Sequence, residues 1–143
     1  MSKNYMLALD LGESSGSNKR AIEIAENLAT NDGAVLHVVT VIPTYSMPIV
    51  GSYFPKDFEE KHFQGAKVAL KKEILKNAKN PDNIKRVVVQ GSIYDEIINA
   101  ANKLDCSLII MEAHSPDLKD YLLGPNAARV VRHAKQSVYV IRS

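Results

Sequence analysis

The sequence has one cysteine, little net charge and no long apolar run, and each shortage argues against a class of protein. Its 18 Lys and Arg against 16 Asp and Glu give a net charge of +2, too small to point to a nucleic-acid partner. The lone Cys106 excludes an internal disulfide framework and fits a reducing compartment. No apolar run approaches the ~20 residues of a membrane span, and the one near the N-terminus is too short for a signal peptide. We therefore expect a cytoplasmic protein that binds neither nucleic acid nor membrane.

Length and composition are those of an ordinary globular domain. The chain has 143 residues, of which 45% are hydrophobic and 24% charged, and it contains no long tract of Pro, Gly or Ser. Such values indicate a chain that buries an ordinary core without a linker or a disordered segment. We expect residues 1–143 to form a single domain.

Apolar segments suited to strands alternate with segments of helical spacing. The predicted strands are 4–11, 34–42, 84–90, 107–111 and 137–142, and the longest predicted helix is 57–77. Because parallel strands connect through helices in right-handed crossovers, this order predicts an α/β protein with a parallel sheet. The second strand is almost continuously apolar, which is typical of a sheet covered on both faces. Ligands on such sheets bind outside the carboxyl ends of the strands.

A long connection follows the second strand. Residues 43–55 contain three prolines together with Tyr45, Tyr53 and Phe54. The segment is longer than most connections in compact domains, and long loops often serve as lids. We expect its aromatic side chains to cover a ligand.

The candidate site residues lie at or just past the carboxyl ends of the predicted strands. They are Asp10, residues 40–42, Gly91, residues 111–115 and residues 124–127. The turn at Gly124 opens a helix, where unpaired backbone N–H groups and the positive end of the dipole attract an anion such as a phosphate. Asp10 could accept hydrogen bonds from a ribose or a base amine, or it could cap the Ser-rich turn that follows it. The sequence leaves both readings of Asp10 open.

Three segments together resemble the universal stress protein superfamily. They are Asp10 at the end of the first strand, Ile109-Ile-Met111 followed by His114, and Leu122-Leu-Gly-Pro-Asn-Ala-Ala-Arg-Val-Val-Arg-His133 running into Ser137-Val-Tyr-Val-Ile141. The likeness covers essentially the whole chain, and its C-terminal motif resembles the enterobacterial branch lettered F and G. The resemblance implies a three-layer α/β/α fold with a doubly wound, five-stranded parallel sheet in the order 3-2-1-4-5. This architecture is Rossmann-like and similar to that of the adenine nucleotide alpha hydrolases.

The resemblance also implies a non-enzymatic stress-response protein that binds ATP or AMP across the strand ends, with no metal beyond the Mg²⁺ that accompanies a nucleotide. Asp10 and Val41 would lie near the base and ribose, and His114 near the phosphates. The full set of implied binding residues is Ala8, Leu9, Asp10, Val41, Met111, His114, Ser115, Gly124, Pro125, Asn126 and Ala127. A homodimer built around residues 137–142 is implied as well, with a tetramer as the larger alternative.

The phosphate motif departs from the pattern of the family's ATP binders, which is Gly-x-x-Gly, nine residues, then Gly with Ser or Thr. Glu112 and Ser115 replace the first two glycines, eight residues separate Ser115 from Gly124, and Pro125 replaces the hydroxyl residue. A carboxylate repels phosphate, and proline lacks both an N–H and a hydroxyl. We expect weakened phosphate binding.

Two alternatives therefore stay open. The first is a nucleotide-independent dimeric interaction module with a vestigial pocket. The second is weak ATP hydrolysis or autophosphorylation, which ranks last because no carboxylate pair suited to holding a metal is evident.

The remaining reactive side chains receive structural interpretations. His37 and His62 have no Cys or carboxylate at metal-ligand spacing. Cys106 precedes an apolar strand and is expected to pack as a small hydrophobic residue. The lysines between residues 61 and 85 are expected to form a solvated helix face.

Overall fold

Strands and helices alternate along the chain in the computed structural model, which describes residues 3–11, 15–43, 56–113 and 125–142. The strands are β1 (Lys3–Ala8), β2 (Ala34–Pro43), β3 (Ile84–Gly91), β4 (Leu108–Glu112) and β5 (Ser137–Ile141). The helices are α1 (Ser15–Asp32), α2 (Lys56–Asn77), α3 (Ile93–Lys103) and α4 (Pro125–His133), and a 3-10 turn at Pro81–Asn83 leads into β3. The predicted lid at 44–55 lies outside the described residues.

The five described strands form one parallel sheet in the order β3-β2-β1-β4-β5. The predicted α/β class and strand order are confirmed. Strand order reverses at β1, because the chain builds outward through β2 and β3 and then returns to add β4 and β5 on the other side. Such a reversal leaves a crevice at the carboxyl ends of the central strands.

Helices cover both faces of the sheet because successive side chains of a strand point to opposite sides. Leu7 faces a core that α1 and α2 complete with Ile22 and Leu70. Its neighbour Met6 faces a second core that α3 and α4 complete with Ile97 and Val130. Both faces of the central strands are therefore buried, as the apolar run of β2 predicts.

Polar contacts tie α1 to the two ends of the sheet. The Tyr5 hydroxyl on β1 donates a 2.5 Å hydrogen bond to the carboxylate of Asp32 at the end of α1. That hydrogen bond is the main cause that raises the pKa of Tyr5, and burial is the second cause. Nη1 of Arg20 donates a 2.9 Å bond to the backbone carbonyl of Arg142, just past β5. Among the described residues, no helix has the length and apolar character needed to cross a membrane.

Several predicted boundaries need small corrections. β1 ends at Ala8 rather than at residue 11, although the N–H of Leu9 still donates to the Val39 carbonyl at 2.9 Å. β4 runs to Glu112, one residue beyond its predicted end, because Glu112 continues the pairing with β5 opposite Ile141. Ser92 precedes α3 and is a residue type favoured at helix starts, but its side chain makes no capping hydrogen bond.

Two glycines stand at strongly constrained positions. Gly33 follows α1 with φ +65°, the left-handed conformation in which glycine commonly ends a helix. Gly91, at the end of β3, has φ +150°, and a Cβ there would come within 2.7 Å of Cγ of Glu96. A larger residue at position 91 would therefore be strained by its positive φ and would require the Glu96 side chain to move.

Candidate functional site

A cavity of about 520 Å³ lies at the carboxyl ends of β1 and β2, against α2. Its lining residues are Asp10 and Leu11 after β1, Thr40, Val41, Ile42 and Pro43 of β2, and His62, Gly65, Ala66 and Ala69 of α2. The volume falls within the range of roughly 300–1,000 Å³ that small-molecule sites occupy. Its position at the strand ends is where ligands bind on doubly wound sheets.

Small residues of α2 leave the room for this cavity. Gly65, Ala66 and Ala69 lie on neighbouring positions of the helix surface, since residues three and four apart share a face. An added Cβ at Gly65 would meet no atom within 4 Å, so the space beside it is open. Sequence reasoning missed this contribution, although the Gly-Ala pair followed by Ala69 is an unusual group of small residues in a lysine-rich helix. That grouping is the signal by which it could have been found.

The lining combines apolar walls with a few polar side chains. Val41 and Ile42 supply aliphatic surface, whereas Asp10 and His62 are exposed and Thr40 is buried. Such a lining suits a flat, largely apolar ring that carries hydrogen-bonding groups on its edge. A carboxylate at the rim can accept hydrogen bonds from hydroxyls or amines.

The structure brings only part of the predicted binding set to this cavity. Asp10 and Val41 line it, as the resemblance implies. Leu9 is buried in the core beneath α1 and α2, and Ala8 packs against the opposite core. Met111 is also buried in that second core, so its side chain does not line the cavity. Any part that Ala8, Leu9 and Met111 play in binding therefore falls to their backbone groups.

The start of α4 is the second part of the predicted site. Pro125 is the first residue of the helix and is exposed, and Asn126 is half-buried. Ala127 is only 3% exposed and packs in the same core as Met111, which anchors the helix start on β4. The first N–H groups of a helix have no partner inside it, so those of residues 126–128 are suited to an anion. His114, Ser115 and Gly124 lie outside the described residues.

Glu112 stands at the same edge of the sheet. It is the last residue of β4 and its side chain is half-buried. The carboxyl ends of neighbouring parallel strands meet there, so a carboxylate is present at this edge of the sheet. In the described part of the chain, no group of three or more His, Cys, Asp or Glu is placed to hold a metal ion.

The parallel sheet, the reversal of strand order at β1 and the cavity at the strand ends define a doubly wound α/β protein with a ligand-sized cleft. The chain belongs to the universal stress protein family, whose family model matches residues 1–142. This confirms the family resemblance of the sequence motifs.

Similar proteins support the same assignment. Universal stress protein G of Escherichia coli O157:H7 is 33% identical over 145 residues, which cover 99% of this chain and 100% of that protein. The solved structure of UspA from Lactobacillus plantarum has a TM-score of 0.75 at 21% identity and covers 99% of both chains. A universal stress protein solved in complex with cAMP has a TM-score of 0.66 at 19% identity, covering 99% of this chain and 98% of the other. At these identities the two structural likenesses show the fold alone.

Proposed function

We propose that this protein is a non-enzymatic stress protein that binds an adenine nucleotide, ATP or AMP, at the carboxyl ends of its strands. The observation that carries the proposal is the 520 Å³ cavity between β2 and α2, which Asp10 and Val41 line. A family member with the same fold has been solved with a bound cyclic nucleotide, cAMP, which supports a nucleotide as the ligand class.

In this proposal the base lies between the end of β2 and the small residues of α2. Val41 and Ile42 contact one side of the ring, and Gly65 and Ala69 allow the ring to approach the helix closely. The Asp10 carboxylate accepts hydrogen bonds from the ribose hydroxyls or from a base amine. The apolar lining of the cavity and the exposed Asp10 carboxylate support this assignment.

The phosphates extend toward the start of α4. Backbone N–H groups of Asn126 and Ala127 hold them, and His114, Ser115 and Gly124 belong to the same proposed site. Pro125 has no N–H to contribute, and Glu112 brings a negative charge to this edge of the sheet. Each phosphate therefore adds less affinity than in family members with the strict glycine motif, and Mg²⁺ enters only with the nucleotide.

An interaction module that does not use nucleotide is the second candidate, and Glu112 and Pro125 are the residues that favour it. In that case the dimer docks partners and the cavity is vestigial. It predicts no nucleotide binding by a folded, dimeric protein.

We also propose that the protein forms a homodimer through β5. Among the described strands, β5 is the sheet edge opposite β3, and Tyr139 on it is 42% exposed. Pairing two such edges would satisfy their open backbone groups. A tetramer is the larger alternative. Tyr139→Lys should convert the dimer to a monomer in light scattering, and an unchanged mass would contradict this interface.

The cytoplasmic location stays a prediction, which cell fractionation tests.

Isothermal titration calorimetry with ATP and AMP tests the nucleotide proposal. We expect binding by the wild-type protein, loss of binding in Gly65→Leu, whose side chain fills the cavity, and retention in Gly65→Ala. The alanine variant is the matched control because its Cβ meets nothing within 4 Å. No heat of binding up to millimolar nucleotide from the folded wild-type protein would reject the proposal.

A further inference from the structure

A second cavity, of about 270 Å³, lies at the outer margin of the sheet between α2 and β3. We call it the α2–β3 groove, and its lining residues are Lys67, Val68, Leu70 and Lys71 of α2 with Arg86 and Val88 of β3. It shares no lining residue with the candidate nucleotide cavity. The groove is therefore a separate feature of the molecule.

The groove is strongly cationic. Lys67, Lys71 and Arg86 line it and no carboxylate does. Residues 61–86 hold eight Lys and Arg against two Asp and Glu, although the whole chain has a net charge of only +2. One of the two acids, Glu73, accepts a 3.0 Å hydrogen bond from Nδ2 of Asn77 along the helix. Positive charge is thus concentrated on this side of the protein, where it attracts anionic partners.

The groove also has an apolar component. Val68 is 58% exposed, the largest value among the exposed large hydrophobic side chains of the described residues. Leu70 is fully buried at the base of the groove and Val88 is half-buried beside it. A ligand that carried aliphatic groups between its charges would remove Val68 from water, which favours binding.

β3 provides a third element, an open sheet edge. Among the described strands, β3 pairs only with β2, so the N–H and C=O groups on its other side have no strand partner. Such an edge can accept an added strand through main-chain hydrogen bonds. The eight-residue length of β3 is sufficient for an extended peptide.

The positive charge, the exposed Val68 and the open edge of β3 together distinguish between the possible binding partners of the groove. A second copy of this chain would bring its own Lys85 and Arg86 to the edge, and directly opposed like charges are destabilising. A flat membrane surface does not engage a sheet edge, and a nucleic-acid backbone makes no use of Val68. We propose that the α2–β3 groove binds an acidic, aliphatic segment of a partner protein, which adds to β3 as an extended strand.

Side chains of the added strand would alternate between the groove and the opposite side. Those on the groove side would place carboxylates near Arg86 and Lys71 and aliphatic groups against Val68. Main-chain bonds would supply affinity, and the charges would supply specificity and a fast encounter.

Fluorescence anisotropy with designed peptides tests the proposal on the full chain. The probe is a labelled, end-capped peptide of about ten residues with threonine at alternate positions and glutamate and valine alternating at the others. We expect saturable binding that weakens as salt is raised, and binding roughly tenfold weaker when glutamine replaces glutamate. An extended peptide can pair through either of its two edges, so two further peptides are made, each N-methylated on the backbone nitrogens of one edge. At least one of these two peptides should bind weakly.

Paired variants locate the contact. Lys71→Glu with Arg86→Glu should abolish binding, whereas Lys72→Glu with Lys76→Glu makes the same charge change on α2 outside the groove and should leave most of it. Arg86→Gln is the milder variant if the first pair fails to fold, and it should weaken binding severalfold. Amide exchange of β3 should slow when the peptide binds.

Four outcomes would overturn the proposal. The first is that the glutamine peptide binds as tightly as the glutamate peptide, and the second is that both N-methylated peptides bind as tightly as the unmethylated one. The third is an equal loss of binding in the two double variants. The fourth is that the protein binds anionic phosphatidylglycerol vesicles or duplex DNA but does not bind the acidic peptide.

Discussion

The buried carboxylate of Glu26 on α1 accepts a 2.9 Å hydrogen bond from the backbone N–H of Asn80, which follows α2. Its other oxygen accepts a 2.8 Å bond from the N–H of Lys79. Glu26 is only 8% exposed. One acidic side chain thus holds the chain segment that leads from α2 toward the strand β3.

Replacing Glu26 with glutamine should destabilise the protein by about 1–3 kcal/mol. An amide is neutral and has one acceptor oxygen, so one of the two N–H groups loses its acceptor and the other keeps only an uncharged one. Urea unfolding measures the effect. Glu23→Gln, at an exposed position of the same helix, is the control and should stay within about 0.5 kcal/mol of wild type. Equal stabilities of the two variants would show that these bonds do not contribute.

His37 predicts a loss of stability in mild acid. Nε2 of the buried ring lies 3.1 Å from Oδ1 of Asn4, and the buried Nδ1 has no hydrogen-bond partner. Burial, and then the charge of Lys85, lowers the pKa of His37. The unfolded ring titrates near pH 6.5, so stability is complete above about that pH and falls as the pH drops toward the lowered folded pKa.

His37→Gln keeps a donor for Asn4 and removes the titration. In urea unfolding between about pH 5 and 7, this variant should therefore lose less stability as the pH falls than the wild-type protein does. The exposed His133→Gln variant should retain the wild-type slope. If His37→Gln and wild type lose stability in parallel, the ring is not the source of the pH dependence.

Cys106 should be almost inert in the folded protein. It is buried in the second core, and burial, with the nearby charge of Asp105, raises its pKa to about 11. We expect iodoacetamide at pH 8 to alkylate the folded chain on the order of 100-fold more slowly than the urea-unfolded chain. The rate should rise with pH, because only the thiolate reacts. Similar rates in the two states would mean that the region around Cys106 opens readily.

Pro125→Ser should tighten the binding of phosphorylated ligands. The change restores an N–H and adds a hydroxyl at the first residue of α4, and hydrogen bonds to charged groups contribute about 1.5–3 kcal/mol. Calorimetry should show roughly tenfold or greater gains for ATP and AMP and no gain for adenosine, which has no phosphate. An equal gain for adenosine would place the effect outside the phosphate site.

The sequence was sufficient for the fold because local and tertiary signals agree in it. Gly33 adopts the left-handed helix stop that its position predicts, and the apolar run of β2 is buried on both sides. Features of single residues were harder to predict from the sequence. The extension of β4 to Glu112 depends on pairing with Ile141 in another strand. Ser92 stands at a helix start but makes no capping bond, since that depends on its rotamer.

The candidate site was predictable only where it follows the strand ends. Asp10 and Val41 were found because each belongs to the end of a predicted strand. Gly65 and Ala69 were missed because their role depends on how α2 lies over the end of β2, which helix periodicity does not encode. Met111 was placed correctly along the chain, but its side chain points into the core because successive residues of β4 alternate between faces.

The most direct test of the nucleotide site is an NMR titration of the ¹⁵N-labelled protein with ATP. We predict progressive amide shifts at Leu11, Val41 and Gly65 around the cavity and at Asn126 and Ala127 at the start of α4. Amides of Ala34 and Val35, at the opposite end of β2, should stay unchanged. A well-dispersed spectrum that does not change at millimolar ATP, or shifts confined to the α2–β3 groove, would contradict the account.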